Sequence, residues 1–260
     1  MKTSFPAGHG IAAMIAAALG GAGLCLEAVA QGPQAGACRA SSARTPTTVV
    51  ELYTSEGCSS CPPADRWLSR LKADPNVVAL AFHVDYWDRL GWKDRFASPA
   101  YTARQAEQQQ GNGARFSYTP QVVVDGRDRT DWPAIGLPIA ARSGSVAPVE
   151  VTLEREGPRV TATVTPLAGA PRRLAAYWAV TEQGHVSAVR AGENEGATLK
   201  HDYVVRDYRP LAAWAATAGA PALFAYEPPG NPDAAHPRAV NLVVVNAETG
   251  RPVQAVKIGC

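Results

Sequence analysis

No block of like charge interrupts this chain. Its 25 Lys and Arg residues nearly balance 23 Asp and Glu residues, for a net charge of +2. That argues against a surface built for nucleic acid or for an anionic membrane. Internal repeats are absent, and low complexity is confined to the N-terminus, so no array of small units is in view. Past the first 30 residues, no uncharged apolar run is long enough to span a bilayer. Cysteine is scarce, with five residues. What the chain does have is an ordinary apolar share of 46% in 260 residues, enough for a core in one large or two modest domains. Its 23 Gly and 21 Pro fit many turns and loops.

The N-terminus has the order of an export signal. Lys2 supplies the positive start, Ile11 to Leu26 is an uncharged Ala/Gly-rich run, and Ala28-Val29-Ala30 matches a small-x-small cleavage pattern. The apolar run is short for a membrane anchor, so residues 1–30 are read as a signal peptide and the mature protein as periplasmic or secreted, with no membrane association after cleavage. Cleavage removes Cys25 and leaves Cys38, Cys58, Cys61 and Cys260. An even number in an oxidising compartment is compatible with full pairing, and four cysteines allow three pairings. A Cys38–Cys260 bridge would tie the two ends together; unpaired terminal thiols or a mixed disulfide with a partner are the alternatives.

Cys58-Ser59-Ser60-Cys61 sits where the apolar run Val49-Val50-Glu51-Leu52-Tyr53 gives way to a helical pattern. A C-x-x-C at a strand-to-helix junction places its first thiol near a helix N-terminus, where unpaired N–H groups and the macrodipole favour thiolate. Cys58 is then the attacking, more exposed thiol and Cys61 the resolving one. Ser60 is placed to cap or hydrogen-bond the sulfurs. An inert bridge and a metal clip are the bland readings of the same four residues.

Further along, residues 31–46 are rich in Gly, Ala, Ser and Pro and read as a linker. Thr47 to Ser55 reads as a strand. Ala64 to Ala73 reads as a helix stopped by Asp74-Pro75-Asn76, and Val77 to Tyr86 as a buried strand. Asp85 to Ser98 carries Trp87, Trp92 and Phe96 and reads as an inserted loop. Pro99 to Gln110 is helical in composition, Gln121 to Val124 is a third strand, and a further helix is expected between Trp132 and Arg142. From Val149 onward alternating runs recur (149–153, 159–165, 174–181, 203–208 and 241–245), the pattern of an all-β sandwich. Leu211 to Thr217 looks helix-like. His185, His201 and His236 are too scattered to define a metal site, and residues 192–196 read as a loop.

The strings ELYTSEGCSSCPPAD, FHVDYWDRLGWKDRFASPAYTARQ and YTPQVVVDG resemble the exported bacterial group called domain of unknown function 1223, within the wider thioredoxin-like superfamily. The resemblance, which covers Val49 to Arg127, implies an α/β thioredoxin-like domain, 47–145; the alternating runs add an all-β sandwich-like domain, 146–260. The resemblance also implies a cis peptide bond at Thr119-Pro120, before the third strand and about sixty residues past the cysteines, with Pro120 facing the dithiol and Thr119 offering its backbone to an incoming chain. Thioredoxins also bury a carboxylate that assists proton transfer, and Glu51 or Glu56 is the candidate; the bland reading of each is an exposed acid. His83, with the two cysteines, would suit copper or zinc, although a lone His on an apolar strand is more often a satisfied core residue. Ser59-Ser60 departs from the dipeptides usual in thioredoxins, and this dipeptide tunes a potential that spans about 150 mV across such proteins.

Two functions compete. One is an exported thiol–disulfide oxidoreductase with Cys58, Cys61, Thr119 and Pro120 as its site, no cofactor, and a thiol or disulfide protein substrate plus a redox partner. The other is a non-enzymatic exported binding module for a metal or a partner protein. The signal reading is checked directly: N-terminal sequencing of protein from a periplasmic or culture fraction should begin near Gln31, and an intact Met1 in a membrane fraction would overturn it.

Overall fold

The computed structural model describes residues 38–137, 139, 145–230, 233 and 235–260. The expected signal segment lies outside the described residues. So do residues 140–142 of the helix expected after Trp132, while Trp132–Ala134 forms one 3-10 turn.

In chain order the strands are β1 (Cys38–Ser41), β2 (Thr48–Thr54), β3 (Val77–His83), β4 (Gln121–Val124), β5 (Arg127–Asp128), β6 (Val149–Glu156), β7 (Arg159–Pro166), β8 (Arg173–Glu182), β9 (His185–Ala188), β10 (Thr198–His201), β11 (Val204–Ala215), β12 (Ala222–Tyr226), β13 (Arg238–Asn246) and β14 (Pro252–Ile258). Helix α1 (Pro62–Ser69) joins β2 to β3, and α2 (Pro99–Gly111) joins β3 to β4.

β2 and β3 are buried at every residue and run parallel, from Thr48 opposite Val77 to Thr54 opposite His83. The nearly continuous apolar sequence of β3, and that of β2 apart from Glu51 and its terminal threonines, suit strands covered on both faces. α1 begins at Pro62-Pro63, positions where a missing N–H costs nothing. Its Ala64, Trp67 and Leu68, with Leu71 just beyond, pack on Val50 and Leu52. Ser98 caps α2 by accepting from the Ala100 N–H. β4 then runs antiparallel to β2 and turns into β5 through Asp125-Gly126, both with positive φ (52° and 74°), as a two-residue hairpin with right-twisted strands requires.

The expected α/β thioredoxin-like domain followed by a separate all-β sandwich is not the fold found. The chain is mostly β, in several sheets, and strands from both halves share one eight-stranded sheet in the order β14-β13-β8-β11-β3-β2-β4-β5. The physical reason lies at β3. Its second edge is taken by a strand of the other half, and its second face is shared between α2, through Tyr101, and residues of later strands. β11 joins that edge through Val204 opposite Ala81, with the Ala81 N–H donating to the Tyr203 carbonyl at 2.8 Å. The sheet then brings Tyr177, Ala179, Val205 and Val243 against Val78, Leu80 and Phe82. The two α-helices pack on β2 and β3, and β8, β11, β13 and β14 of the sheet come from the second half of the chain. Of Leu211 to Thr217, read as helix-like, Leu211–Ala215 is the end of the long strand β11, because its pairing with β8 outweighs the helix propensity of alanine.

The second sheet has the order β1-β6-β7-β12. Alternate residues of β6 and β7 (Val149, Val151, Leu153; Val160, Ala162, Val164) meet Leu174, Ala176, Trp178 and Val180 of β8 and Leu242 and Val244 of β13 in a second core. β1, inside the stretch read as linker, is the edge strand of this sheet. Cys38 at its start forms a disulfide with Cys260, Cα atoms 6.6 Å apart, and Arg155 on β6 donates to the Cys260 carbonyl. This bridge closes most of the described chain, its cysteines lying 222 positions apart. Replacing both Cys38 and Cys260 with Ser should lower unfolding stability by about 2–4 kcal/mol in denaturant titration, while the Cys58–Cys61 bond remains oxidised.

Candidate functional site

The C-x-x-C forms a turn between β2 and α1. The Cys61 N–H donates to the Cys58 carbonyl at 3.2 Å, and the N–H groups of Ala64 and Asp65 donate to the Cys61 carbonyl. The helix therefore starts just after the second cysteine, with Cys61 as its N-cap residue. Cys58 and Cys61 are disulfide-bonded, with Cα atoms 5.4 Å apart. Both are fully buried at 0% exposure, whereas Ser59 and Ser60 between them are exposed. Cys58 is thus not the exposed thiol its position suggested.

The Thr119–Pro120 peptide bond is cis. Thr119 meets the dithiol through its side chain: its hydroxyl donates to Cys58 Sγ at 3.3 Å. Trp87, from the loop between β3 and α2, donates its indole N–H to Thr119 Oγ1 at 2.8 Å. The Ser60 hydroxyl lies 3.4 Å from Cys58 Sγ and 3.4 Å from the Thr119 carbonyl, to which it donates. Pro120 is half-buried next in the chain. Gly57 is needed for space here, since a Cβ on it would meet the Trp87 Cβ at 3.0 Å.

The loop between β9 and β10 holds the other side of the turn. The Asn194 side-chain amide donates to the carbonyls of Glu56 and Cys58, both at 2.9 Å. The Glu193 carboxylate accepts from the backbone N–H and the hydroxyl of Ser59 at 3.0 and 2.8 Å, and these bonds keep its carboxyl below the usual range. Nothing in the local sequence of 192–196 signals this role; it follows from where the loop is carried.

Charge is buried beneath the turn. Glu56 takes the Trp92 indole N–H at 2.7 Å and lies 3.4 Å from His201 Nε2. His201 Nδ1 is 3.9 Å from Asp65 on α1, and Asp65 accepts from Thr54. Burial pushes the Glu56 carboxyl up, but His201 and Trp92 hold it below its ordinary value. Burial disfavours the charged His201, yet the Asp65 and Glu56 carboxylates raise it to about 9. His83 contacts Asp94 at 2.7 Å; burial alone would raise the Asp94 carboxyl, but His83 and the N–H groups of Glu56 and Phe96 bring it down to about 2.

Glu51, the other candidate acid, is also buried but serves a different site. It shares a sheet face with Val49 and Tyr53, away from α1, and is held by Arg104 at 2.9 Å, Tyr177 at 2.6 Å and Tyr53 at 3.1 Å. The histidines that looked scattered converge: the rings of His83, His185 and His201 all pack on Phe96, and His236 stacks on His185 at 3.8 Å. Among the described residues, no group of three or more His, Cys, Asp and Glu side chains is set to hold a metal ion. His83, weighed as a ligand alongside the cysteines, is engaged by Asp94 instead.

This disulfide turn, faced by a cis-proline segment and clamped from a distant loop, defines a protein with a buried dithiol site on a mostly β frame. The family model described as Protein of unknown function (DUF1223) matches residues 49–245, and the chain belongs to that family. A crystal structure of a structural-genomics protein from Agrobacterium tumefaciens is similar at 28% identity, with a TM-score of 0.60, over 82% of this chain and 94% of that one. HBP35 of Porphyromonas gingivalis shares the fold at 17% identity, with a TM-score of 0.57, over 84% of this chain and 76% of that one. No curated protein matches. The two disulfides suit an oxidising, non-cytoplasmic compartment, and among the described residues no helix is long and apolar enough to cross a membrane.

The buried histidine gives a pH signature. The folded value of His201, about 9, lies above its ordinary value. Its charge therefore contributes stability that is complete below about pH 6.5 and is lost as pH rises through about 9. Denaturant midpoints of the native protein should fall across that window, and His201→Gln should be less stable at neutral pH and flat over the same range.

Proposed function

We propose that this protein is an exported thiol–disulfide exchange protein, periplasmic or secreted, acting through Cys58 and Cys61 on a thiol- or disulfide-bearing protein and served by a redox partner. The observation that carries this reading is the hydrogen bond from Thr119, the residue before the cis bond, to Cys58 Sγ. A neutral donor on that sulfur favours its thiolate, the form in which it leaves or attacks. The kinship with thioredoxin-like oxidoreductases rests on this site alone and is part of the proposal.

In the oxidising direction, a substrate thiolate attacks Cys58 Sγ, forming a mixed disulfide, and Cys61 leaves as a thiolate. A second substrate thiolate then attacks the substrate sulfur of that bond, and Cys58 leaves. Two electrons pass from the substrate dithiol to the protein; of its two protons one ends on Cys61, and the other goes to Cys58 or to solvent according to the acidity of the Cys58 thiol. The reverse sequence reduces a substrate disulfide. Because both sulfurs are buried, the Ser59-Ser60 turn must move before either step. That same burial favours the second reading, a binding module in which the bridge is only structural.

The two readings separate by trapping. Cys58→Ser should abolish exchange with model disulfides. Cys61→Ser should accumulate a mixed disulfide through Cys58, seen as a reductant-sensitive adduct on a non-reducing gel. No adduct with any exported protein or model disulfide leaves the binding module standing.

A further inference from the structure

Hydrogen bonds to Cys58 Sγ come, among the described residues, from two neutral hydroxyls, those of Thr119 and Ser60. The titratable groups around the turn are Glu56 on its own loop, Asp94, which accepts from the Glu56 N–H, Asp65 on α1, Tyr86, His201 on β10 and Glu193 on the β9–β10 loop. Tyr86 lies beside Trp87 and Thr119, and its hydroxyl makes no hydrogen bond among the described residues. The positive charge of His201 is directed at Glu56 and Asp65, and the Glu193 carboxylate at Ser59. Stabilisation of a Cys58 thiolate therefore falls to hydroxyl protons. A hydroxyl has only one proton to give. That of Ser60 is divided between the sulfur and the Thr119 carbonyl. That of Thr119 is not, for a geometric reason. An indole N–H donates only, so Trp87 at 2.8 Å occupies the acceptor side of Thr119 Oγ1 and leaves its proton for the sulfur at 3.3 Å. Trp87 is itself seated against the dithiol loop, where Gly57 has no Cβ to displace it.

We infer that Trp87 is a positioning residue for the dithiol: by donating to Thr119 it orients the Thr119 hydroxyl onto Cys58 Sγ and so raises the acidity of the Cys58 thiol. The inference rests on the exchange reading for its purpose. When a substrate dithiol reduces the bond, the substrate becomes a disulfide, Cys61 takes one proton, and the other is released while Cys58 remains a thiolate held by Thr119. The same donor makes Cys58 the better leaving group and shifts the dithiol potential towards the oxidising side.

The test uses the full chain carrying Cys61→Ser, in which Cys58 is a free thiol and the Cys38–Cys260 bridge stays closed. The ultraviolet absorbance of the thiolate is followed against pH. Trp87→Phe and Thr119→Val should each lower the acid dissociation constant of Cys58 by roughly three- to tenfold, the worth of one hydrogen bond. Combined, they should do little more than either alone, since they act in series. Thr119→Ser, which keeps the hydroxyl, should stay near the parent. Gly57→Ala, which displaces Trp87 without touching Thr119, should move the constant in the same direction as Trp87→Phe. An unchanged constant in Trp87→Phe, or fully additive single effects, overturns the inference. Exchange turnover measured on the intact dithiol separates the two claims. A shifted constant without any turnover leaves the positioning role and removes the proposed function. Turnover with an unshifted constant does the opposite.

Discussion

A strand buried on both faces needs partners along both edges, because unpaired backbone groups away from water are costly. β3 has β2 along one edge, and on the other it takes β11, the strand that follows His201, with Ala81 bonded to Tyr203. The rest of the molecule follows from that junction. It makes one sheet out of the two halves of the chain. It also delivers residues 193–201 to the C-x-x-C turn, so that Asn194 grips the carbonyls of Glu56 and Cys58 and His201 lies beside Glu56 and Asp65. Tyr203 accepts a left-handed backbone, φ 59°, at the crossing itself.

Buried charge is tolerable only when it is paired, and breaking a pair costs more than never having made it. The chain places two such sets on opposite faces of β2. Glu51, with Arg104, Tyr53 and Tyr177, ties α2 and β8 to one face. Glu56, Asp65 and His201 sit with α1 on the side of the dithiol. Strand alternation decides the division. Glu51 points with Val49 and Tyr53, while Thr54 points with Val50 and Leu52 and reaches Asp65. Glu56, beyond the strand end, therefore lies buried on the side of the disulfide turn, and Glu51 is a structural member of the α2 packing.

Much of the local structure was legible. The apolar runs of β2 and β3, the prolines opening α1, the Asp125-Gly126 turn and the alternation of β6 and β7 each carry a short-range cause. Cys58, Cys61, Thr119 and Pro120 were likewise visible as a set, and Thr119 does meet Cys58. Other features had no such signal. His83, His185 and His201 come from three strands: His185 and His201 are partners across β9 and β10, His83 packs edge-on against His201, and Phe96 touches all three. Leu211–Ala215 has helical composition but extends β11, since cross-strand pairing with β8 is stronger than intrinsic preference.

The sequence by itself determined the dithiol turn, the strand and helix that flank it, the proline segment before β4 and the pairing of the two terminal cysteines as one option among three. Those depend on residue chemistry within a few positions, or on counting. Tertiary structure alone decided that the sheet runs unbroken through both halves, that both sulfurs are buried, that Glu193 and Asn194 clamp the turn, and that Trp87 faces Thr119. The continuous sheet and the clamp by Glu193 and Asn194 depend on which strand completes the open edge of β3. That choice is made by packing between residues more than a hundred positions apart, and no local pattern encodes it.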